Sequence, residues 1–282
     1  MHKEGFCQQA KSFLNHIFQQ MHIHDIQLQP HWMIDHVCYR TETFESYLSY
    51  KKEFAQWASL LIESEVNGRP IATFKLHEPF VYQERIIPLV ELPAPKPNKV
   101  TCEGFQHLEV VCDIPFETLK KNFFKCQFDE SGLTKPFNQE LEIVLKNCSL
   151  KFHHLSLASV VRLEKNQKIY HAICNSGILE ILRPYHPLLA GEFLLGTEQD
   201  NSHLEIHLAS QDLDPLATLI FSAFGHCPKF KIHYTKHFGK KTLIAYFTSY
   251  NMPFKLCAQD CVSVQQEDYL QFQKEERLLL GI

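Results

Sequence analysis

The chain has 282 residues, 45% of them hydrophobic and 21% charged, a balance that buries sizeable cores and at this length predicts two domains. A formal net charge of -4 and a pI near 6.5 leave no basic footprint, so nucleic acid is not an expected partner. No apolar run approaches the roughly 18 residues needed to cross a bilayer, and His2, Lys3 and Glu4 interrupt any leader-like start, so a cytoplasmic protein away from membranes is expected.

Phe6, Ala10, Phe13, Leu14, Ile17, Phe18 and Met21 recur at helical spacing and predict an amphipathic first helix lying outside a sheet. From Ile34 to Arg40 the pattern alternates, placing His36, Cys38 and Arg40 on one strand face. Phe44, Tyr47, Leu48, Phe54, Ala55, Ala58 and Leu61 then predict one long helix. Asn67-Gly68 is a type I′ hairpin signal, because both central residues of that turn need positive φ; it joins a strand near 63–66 to one over 71–77. A further strand over 85–92 ends in the stiff segment PAPKP, completing a βαβββ unit.

The order repeats: strand 105–111, helix 115–124, strand 140–145, a turn at 146–148 and strand 150–153, with the second strand not fixed by the pattern. Each unit carries one ligand-type group on its first strand and one on its last, His36 and Glu91, then His107 and His153. Two such units side by side curve into a half-open barrel on whose inner face these four converge. Three imidazoles and a carboxylate suit a divalent transition metal such as zinc, nickel, manganese or iron. Glu109 shares a face with His107, and the reading leaves it open as a ligand in place of His153, as a group orienting a ligand, or as a base.

The segments DHVCYR at 35–40, NGRPIATFKLHEPF at 67–80, IIPLVELP at 86–93, EGFQHLEVV at 103–111 and KFH at 151–153 resemble the YecM family, of the vicinal-oxygen-chelate fold shared with glyoxalase I, extradiol dioxygenases and bleomycin-resistance proteins. The resemblance implies an α+β domain of paired βαβββ units over residues 1–160, with the superfamily's ligand places falling on His36, Glu91, His107 and His153. Members with defined activities carry a carboxylate at the last of these places, where this chain has a histidine. The chain also lacks a charged insertion that the family tends to hold between Leu133 and Leu150.

Arg40, Arg69, Lys75 and Lys151 accompany these motifs and suit an anionic, oxygen-rich small-molecule substrate. A Lewis-acidic metal would acidify an α proton or bound water, with Glu109 or Glu91 carrying the proton. Lyase, isomerase or dioxygenase chemistry fits this arrangement. The alternatives are a sequestering protein that binds a ligand without reaction, and a two-domain protein acting through interactions.

After a helix over about 160–181, the remainder, 161–282, is predicted as a smaller α/β domain with helix 213–224, strands 230–237, 241–249 and 253–258, and a final helix after Gln266. HPLLAG at 186–191, SHLEIHL at 202–208 and AQDCVSVQQEDY at 258–269 resemble uncharacterised nucleotidyltransferase-like proteins. That resemblance implies an Asp-x-Asp pair and a third acid, and these places read His203, Glu205 and Lys255. A lysine at the third corner repels a metal, so a domain without nucleotidyl transfer is expected. His203, Glu205 and His207 alternate along one strand and make an alternative zinc set. The ten cysteines include no CxxC pair and are expected as reduced thiols. Among the seventeen histidines, His2, His16, His22, His24 and His31 are expected to be structural or exposed.

Overall fold

The computed structural model describes residues 2–97, 102–135 and 137–282. Helix α1 (Lys3–Ile23) leads into β1 (Met33–Arg40), α2 (Phe44–Phe54), β2 (Ala58–Val66), β3 (Arg69–Tyr82) and β4 (Arg85–Pro93). A second series follows as β5 (Gly104–Val111), α3 (Phe116–Asn122), β6 (Gln127–Asp129), β7 (Leu141–Leu145) and β8 (Cys148–His153). All eight strands form one sheet in the order β2-β3-β4-β1-β5-β8-β7-β6, with β1 antiparallel to β5 at its centre. The order on one side of that seam mirrors the other, which is the paired βαβββ architecture expected from the sequence.

The sheet's outer face holds the apolar alternates. Val37, Tyr39, Phe74, Val90, Leu108, Val110, Leu150 and Phe152 are buried there in one core with the apolar stripe of α1. Phe6 is the central knob, its ring centroid 4.7 Å from Phe54, 4.9 Å from Phe105 and 5.0 Å from Tyr39.

Two sequence expectations change. The long helix stops at Phe54, and Ala58 and Leu61 lie on β2, which pairs with β3 through Val66↔Arg69. The apolar spacing there fits both periods, and pairing along a hairpin decides for the strand. The missing strand of the second unit is β6, three residues long and too short to show a period. The Asn67-Gly68 turn has φ of 52° and 73°, as a type I′ turn requires. Gly68→Val is expected to destabilise the protein by about 1–2 kcal/mol, because a β-branched residue is strained at positive φ; urea denaturation measures this directly.

The helix expected to 181 is broken into α4 (Leu157–Lys165), α5 (Gln167–Ser176) and α6 (Ile178–Ile181). Asn166 departs from helical geometry and caps α5 with its side chain, and Gly177 interrupts at φ 61°. Then come β9 (Leu188–Ala190), α7 (Glu192–Leu195), β10 (Leu204–Ala209), α8 (Leu213–Phe224), β11 (Lys231–His237), β12 (Lys240–Ser249), β13 (Met252–Gln259) and α9 (Glu267–Leu280). Their sheet runs β11-β12-β13-β10-β9, with β10 parallel to β13, over a core of its own.

Helix α9 ties the two sheets together. Glu276 accepts hydrogen bonds from Ser156 and Ser159, and the Tyr269 hydroxyl donates to the His154 carbonyl. Burial pushes the Glu276 carboxyl up, more than those two hydroxyls lower it. A raised acid contributes stability below its unfolded pKa and loses it as pH rises through the folded value. Glu276→Gln is therefore expected to gain stability relative to the unsubstituted protein as pH rises above the ordinary carboxylate range, measured as the difference between their unfolding free energies.

Candidate metal centre

Strand register decides what meets on the inner face. Cys38 on β1 stands beside Glu91 on β4 and His107 on β5, while His36 stands beside Leu89 and Glu109. One strand further, Glu109 faces Lys151 on β8, and His153 lies at the end of that strand beside Val111. A β-bulge between Ile34 and His36 places Asp35 against the site as well.

The imidazoles of His36 and His107 and the carboxylate of Glu91 bring one donor atom each to within 4.8 Å of one another. His153 joins a second such group, with Glu109 and Glu140. Glu109 bridges the two: its carboxylate lies 2.9 Å from His107 Nε2, 3.5 Å from His36 Nε2, and in close contact with His153 Nε2. The His36 ring centroid is 6.5 Å from that of His107 and 6.4 Å from that of His153. The four expected ligands thus share one hollow, divided around Glu109.

These groups are out of water: His36 is 2% exposed, His107 4%, His153 4% and Glu109 5%. His36 Nε2, His107 Nε2 and both ring nitrogens of His153 nevertheless make no aligned hydrogen bond among the described residues. Buried polar atoms are normally satisfied, and an orphaned imidazole nitrogen aimed at neighbouring donors is what a ligand set presents to a cation. The donor set passes this test of fit. His36 is also oriented for the task, since its Nδ1 hydrogen-bonds Asp35 Oδ2 at 2.9 Å, which directs Nε2 inward. The same Asp35 oxygen accepts the Leu157 N–H at 2.9 Å.

The electrostatics show how much positive charge the hollow demands. Burial pushes the Glu109 carboxyl up, but His36, His153 and Lys151 outweigh it and hold that carboxyl well below the usual range. For His36 burial acts downward, and Glu109 and Asp35 overcome it to raise the imidazole well above its ordinary value. His107 is pushed down by burial and by Lys151. Lys151 is raised, Glu109 and Glu140 outweighing its burial, and lies 3.6 Å and 3.3 Å from those two carboxylates.

Of the other expected cations, Arg40 ends β1 with its Nε buried and without a hydrogen-bond partner among the described residues. Arg69 is buried and donates to the Ala94 carbonyl at 2.7 Å, which leaves its Nε in the same unpartnered condition. Lys75 pairs across β3 with Leu89, one step beyond Thr73, which faces Glu91. All four lie on or beside the inner face.

Sequence reasoning passed over Glu140, which it put at the start of the strand over 140–145 and gave no part in the site, and Asp35, whose only signal was its position next to His36. It also passed over the cover. Met33, Leu89 and Val111, on the inner face beside the histidines, pack with Ala158 of α4 and Leu280 of α9. A separate cleft of about 440 Å³, lined by residues including Phe116, His154, Leu179, His186 and Tyr269, contains none of the expected site residues.

In the other sheet, Glu205 and Lys255 are register partners and form an ion pair at 3.2 Å. His203 lies edge-on to the ring of Tyr246, the register partner of Lys255 on β12, at 5.2 Å. No helix among the described residues is long and apolar enough to cross a membrane, and all ten cysteines are free.

Fold and centre together define a paired βαβββ protein with a buried cluster of histidines and carboxylates. The family model described as YecM protein matches residues 2–164, more than half of the chain, and the chain belongs to that family. A second model, a domain of unknown function designated DUF4269, matches residues 171–281. Protein YecM of Escherichia coli K12 is 30% identical over 148 residues, which cover 47% of this chain and 78% of that protein. Among solved structures, the structural-genomics protein EC4020 matches at a TM-score of 0.49 and 26% identity, covering 57% of this chain and 92% of its own. Streptomyces coelicolor methylmalonyl-CoA epimerase matches at 0.32 and 9%, over 43% of this chain and 95% of its own.

Proposed function

We propose that residues 1–160 form a metal-dependent vicinal-oxygen-chelate-type domain acting on a small, anionic, oxygen-rich molecule. The observation that carries this reading is the set of buried imidazole nitrogens without aligned hydrogen bonds, gathered around Glu109 and Glu91. His36, Glu91 and His107 would hold the ion, with His153 and Glu109 completing the donor set. A bound divalent ion would act as a Lewis acid on substrate oxygen and lower the pKa of an adjacent α proton.

The chain's own residues supply the rest. Lys151, Arg40 and Arg69 present positive charge to a carboxylate or enolate on the inner face, and the unpartnered Nε of each arginine remains a free donor. Lys75 adds a cation further along the same strand face. Glu109, whose carboxyl is held well below the usual range, is a strong oxygen donor and a weak base. Glu91 is half-buried and can meet substrate, so it is the better proton carrier of the two. The Asp35–His36 hydrogen bond keeps the ligand imidazole from rotating when substrate enters.

Residues 161–282 are, in this reading, a nucleotidyltransferase-like scaffold without transfer chemistry. The Lys255 ammonium sits on Glu205 where a metal-binding acid would be needed, which supports that assignment.

The test is to strip the full chain with chelator and titrate it with Zn²⁺, Ni²⁺, Mn²⁺ and Fe²⁺. The metal-loaded protein is then assayed for exchange of α protons of small 2-oxo and dicarboxylic acids with deuterated water. Metal uptake at this centre with exchange supports the enzyme. Uptake without exchange, but with tight binding of such an acid, moves the reading to a sequestering protein. Failure to take up any of the four ions overturns it.

A further inference from the structure

We propose a second metal site, a zinc centre in the five-stranded sheet, formed by His207 of β10, Cys257 of β13 and Asp268 in the first turn of α9. It lies outside the half-barrel and does not depend on the reading given for that domain.

His207 and Cys257 are register partners on adjacent parallel strands, so their side chains emerge side by side on one face. Asp268 reaches them from α9, and one donor atom of each lies within 4.8 Å of the other two. Three points so spaced all fall within about 2.8 Å of a common centre, against the about 2.0–2.3 Å of zinc bonds to nitrogen, oxygen and sulfur, so small side-chain rotations close the gap.

An independent observation fixes the ligand state of the histidine. Gln266 donates its amide N–H to the Leu208 carbonyl at 2.7 Å, which leaves its Oε1 as the acceptor facing His207 Nδ1 at 2.9 Å. Nδ1 therefore carries the hydrogen, and Nε2 carries the lone pair. His207 is fully buried, and Nε2 has no hydrogen-bond partner among the described residues. A buried imidazole held in one tautomer by a neighbour, with one nitrogen left free and a thiol and a carboxylate close by, is a ligand already oriented.

The outer contacts agree. Glu205 Oε2 lies 3.9 Å from His207 Nε2, and Lys255 holds the other oxygen of that carboxylate at 3.2 Å. His237 grips Asp268 at 2.8 Å from the solvent side. One nitrogen, one sulfur and one oxygen match zinc better than magnesium or calcium, which take oxygen alone. The alternating set His203, Glu205 and His207 does not assemble, because His203 lies against Tyr246; Cys257 and Asp268 take its place. Such a centre would pin the start of α9, whose other end covers the half-barrel.

The experiment uses the full chain carrying His107→Ala, which disables the other candidate centre. After chelation it is titrated with Zn²⁺, and in parallel with Co²⁺ to read the near-ultraviolet sulfur-to-cobalt charge-transfer band. We expect one equivalent of zinc, a cobalt–thiolate band, and a raised Tm. Adding Cys257→Ser should abolish the band and weaken zinc at least tenfold. Asp268→Asn, at a partly exposed side chain, should weaken zinc while keeping the band, and serves if the serine variant does not fold. Absence of zinc binding, or a band and affinity unchanged by Cys257→Ser, or an affinity unchanged by Asp268→Asn, overturns the proposal. A band that survives Cys257→Ser and disappears with Cys38→Ser would place the metal in the half-barrel and overturn it equally.

Discussion

His107→Ala should weaken divalent-metal binding at the half-barrel centre by at least about hundredfold, since loss of even a supporting group around a metal costs ten- to hundredfold. The substitution removes one of three donors that stand within 4.8 Å of one another. Metal affinity of the unsubstituted protein should also rise with pH, because an ion must displace the proton that Glu109 and Asp35 hold on His36. Isothermal titration of chelated protein, repeated at two or three pH values, measures both effects. Equal affinity in His107→Ala, with the His207 site blocked by Cys257→Ser, would mean that the four groups do not bind metal.

Glu109→Gln carries the largest expected cost in stability, about 3–5 kcal/mol for the metal-free protein near neutral pH, the range for removing one partner of a buried ionic pair. The reason is not the loss of one favourable contact. With the carboxylate gone, the His36 imidazolium and the Lys151 ammonium remain in a hollow with little water, each having lost one of its two carboxylate neighbours.

The pH dependence follows from the depressed Glu109 pKa. A lowered acid contributes stability above its unfolded pKa and loses it as pH falls through the folded value. The gap between the two proteins should therefore be wide near neutrality and narrow below the ordinary carboxylate range, where the native Glu109 also becomes neutral. Urea denaturation with excess chelator, over a series of pH values, reports the gap. A gap that stays constant with pH would show that Glu109 acts through packing and not through charge.

The two domains are coupled by α9, and the consequences reach the site. Its first turn stands at the candidate zinc position, Glu276 holds the Ser156–Ser159 turn at the start of α4, and Leu280 packs beside Leu89 and Val111 on the inner face. The backbone N–H of Leu157, in that same turn, donates to Asp35, the residue that orients His36. A change at any of these points therefore bears on ligand geometry through one continuous set of contacts.

Much of this was legible in the sequence, for a physical reason in each instance. Period-two alternation places side chains on one strand face whatever the surroundings, so His36, Cys38 and Arg40, and likewise His107 and Glu109, could be put on the inner face from the residue order alone. Asn67-Gly68 named its turn because positive φ is a local demand of the backbone. The repeat of strand, helix and strands told that the chain builds two similar halves, and the helical spacing of Phe6 through Met21 told which element covers the outside.

What tertiary structure alone decided are the matters set by register and by distant chain. A short strand such as β6 has no period to read, and residues 58–61 satisfy a helix and a strand equally until β3 pairs with them. The division of the ligands, His153 with Glu109 and Glu140 and the others with Glu91, depends on strand register and on one bulge at Asp35. The meeting of His207, Cys257 and Asp268 joins strands β10 and β13 with helix α9, elements far apart along the chain, and no spacing rule signals it. Closure of the half-barrel by the end of α9 is likewise a packing event between distant segments, in which Leu280 meets Met33, Leu89 and Val111 only once both sheets have formed.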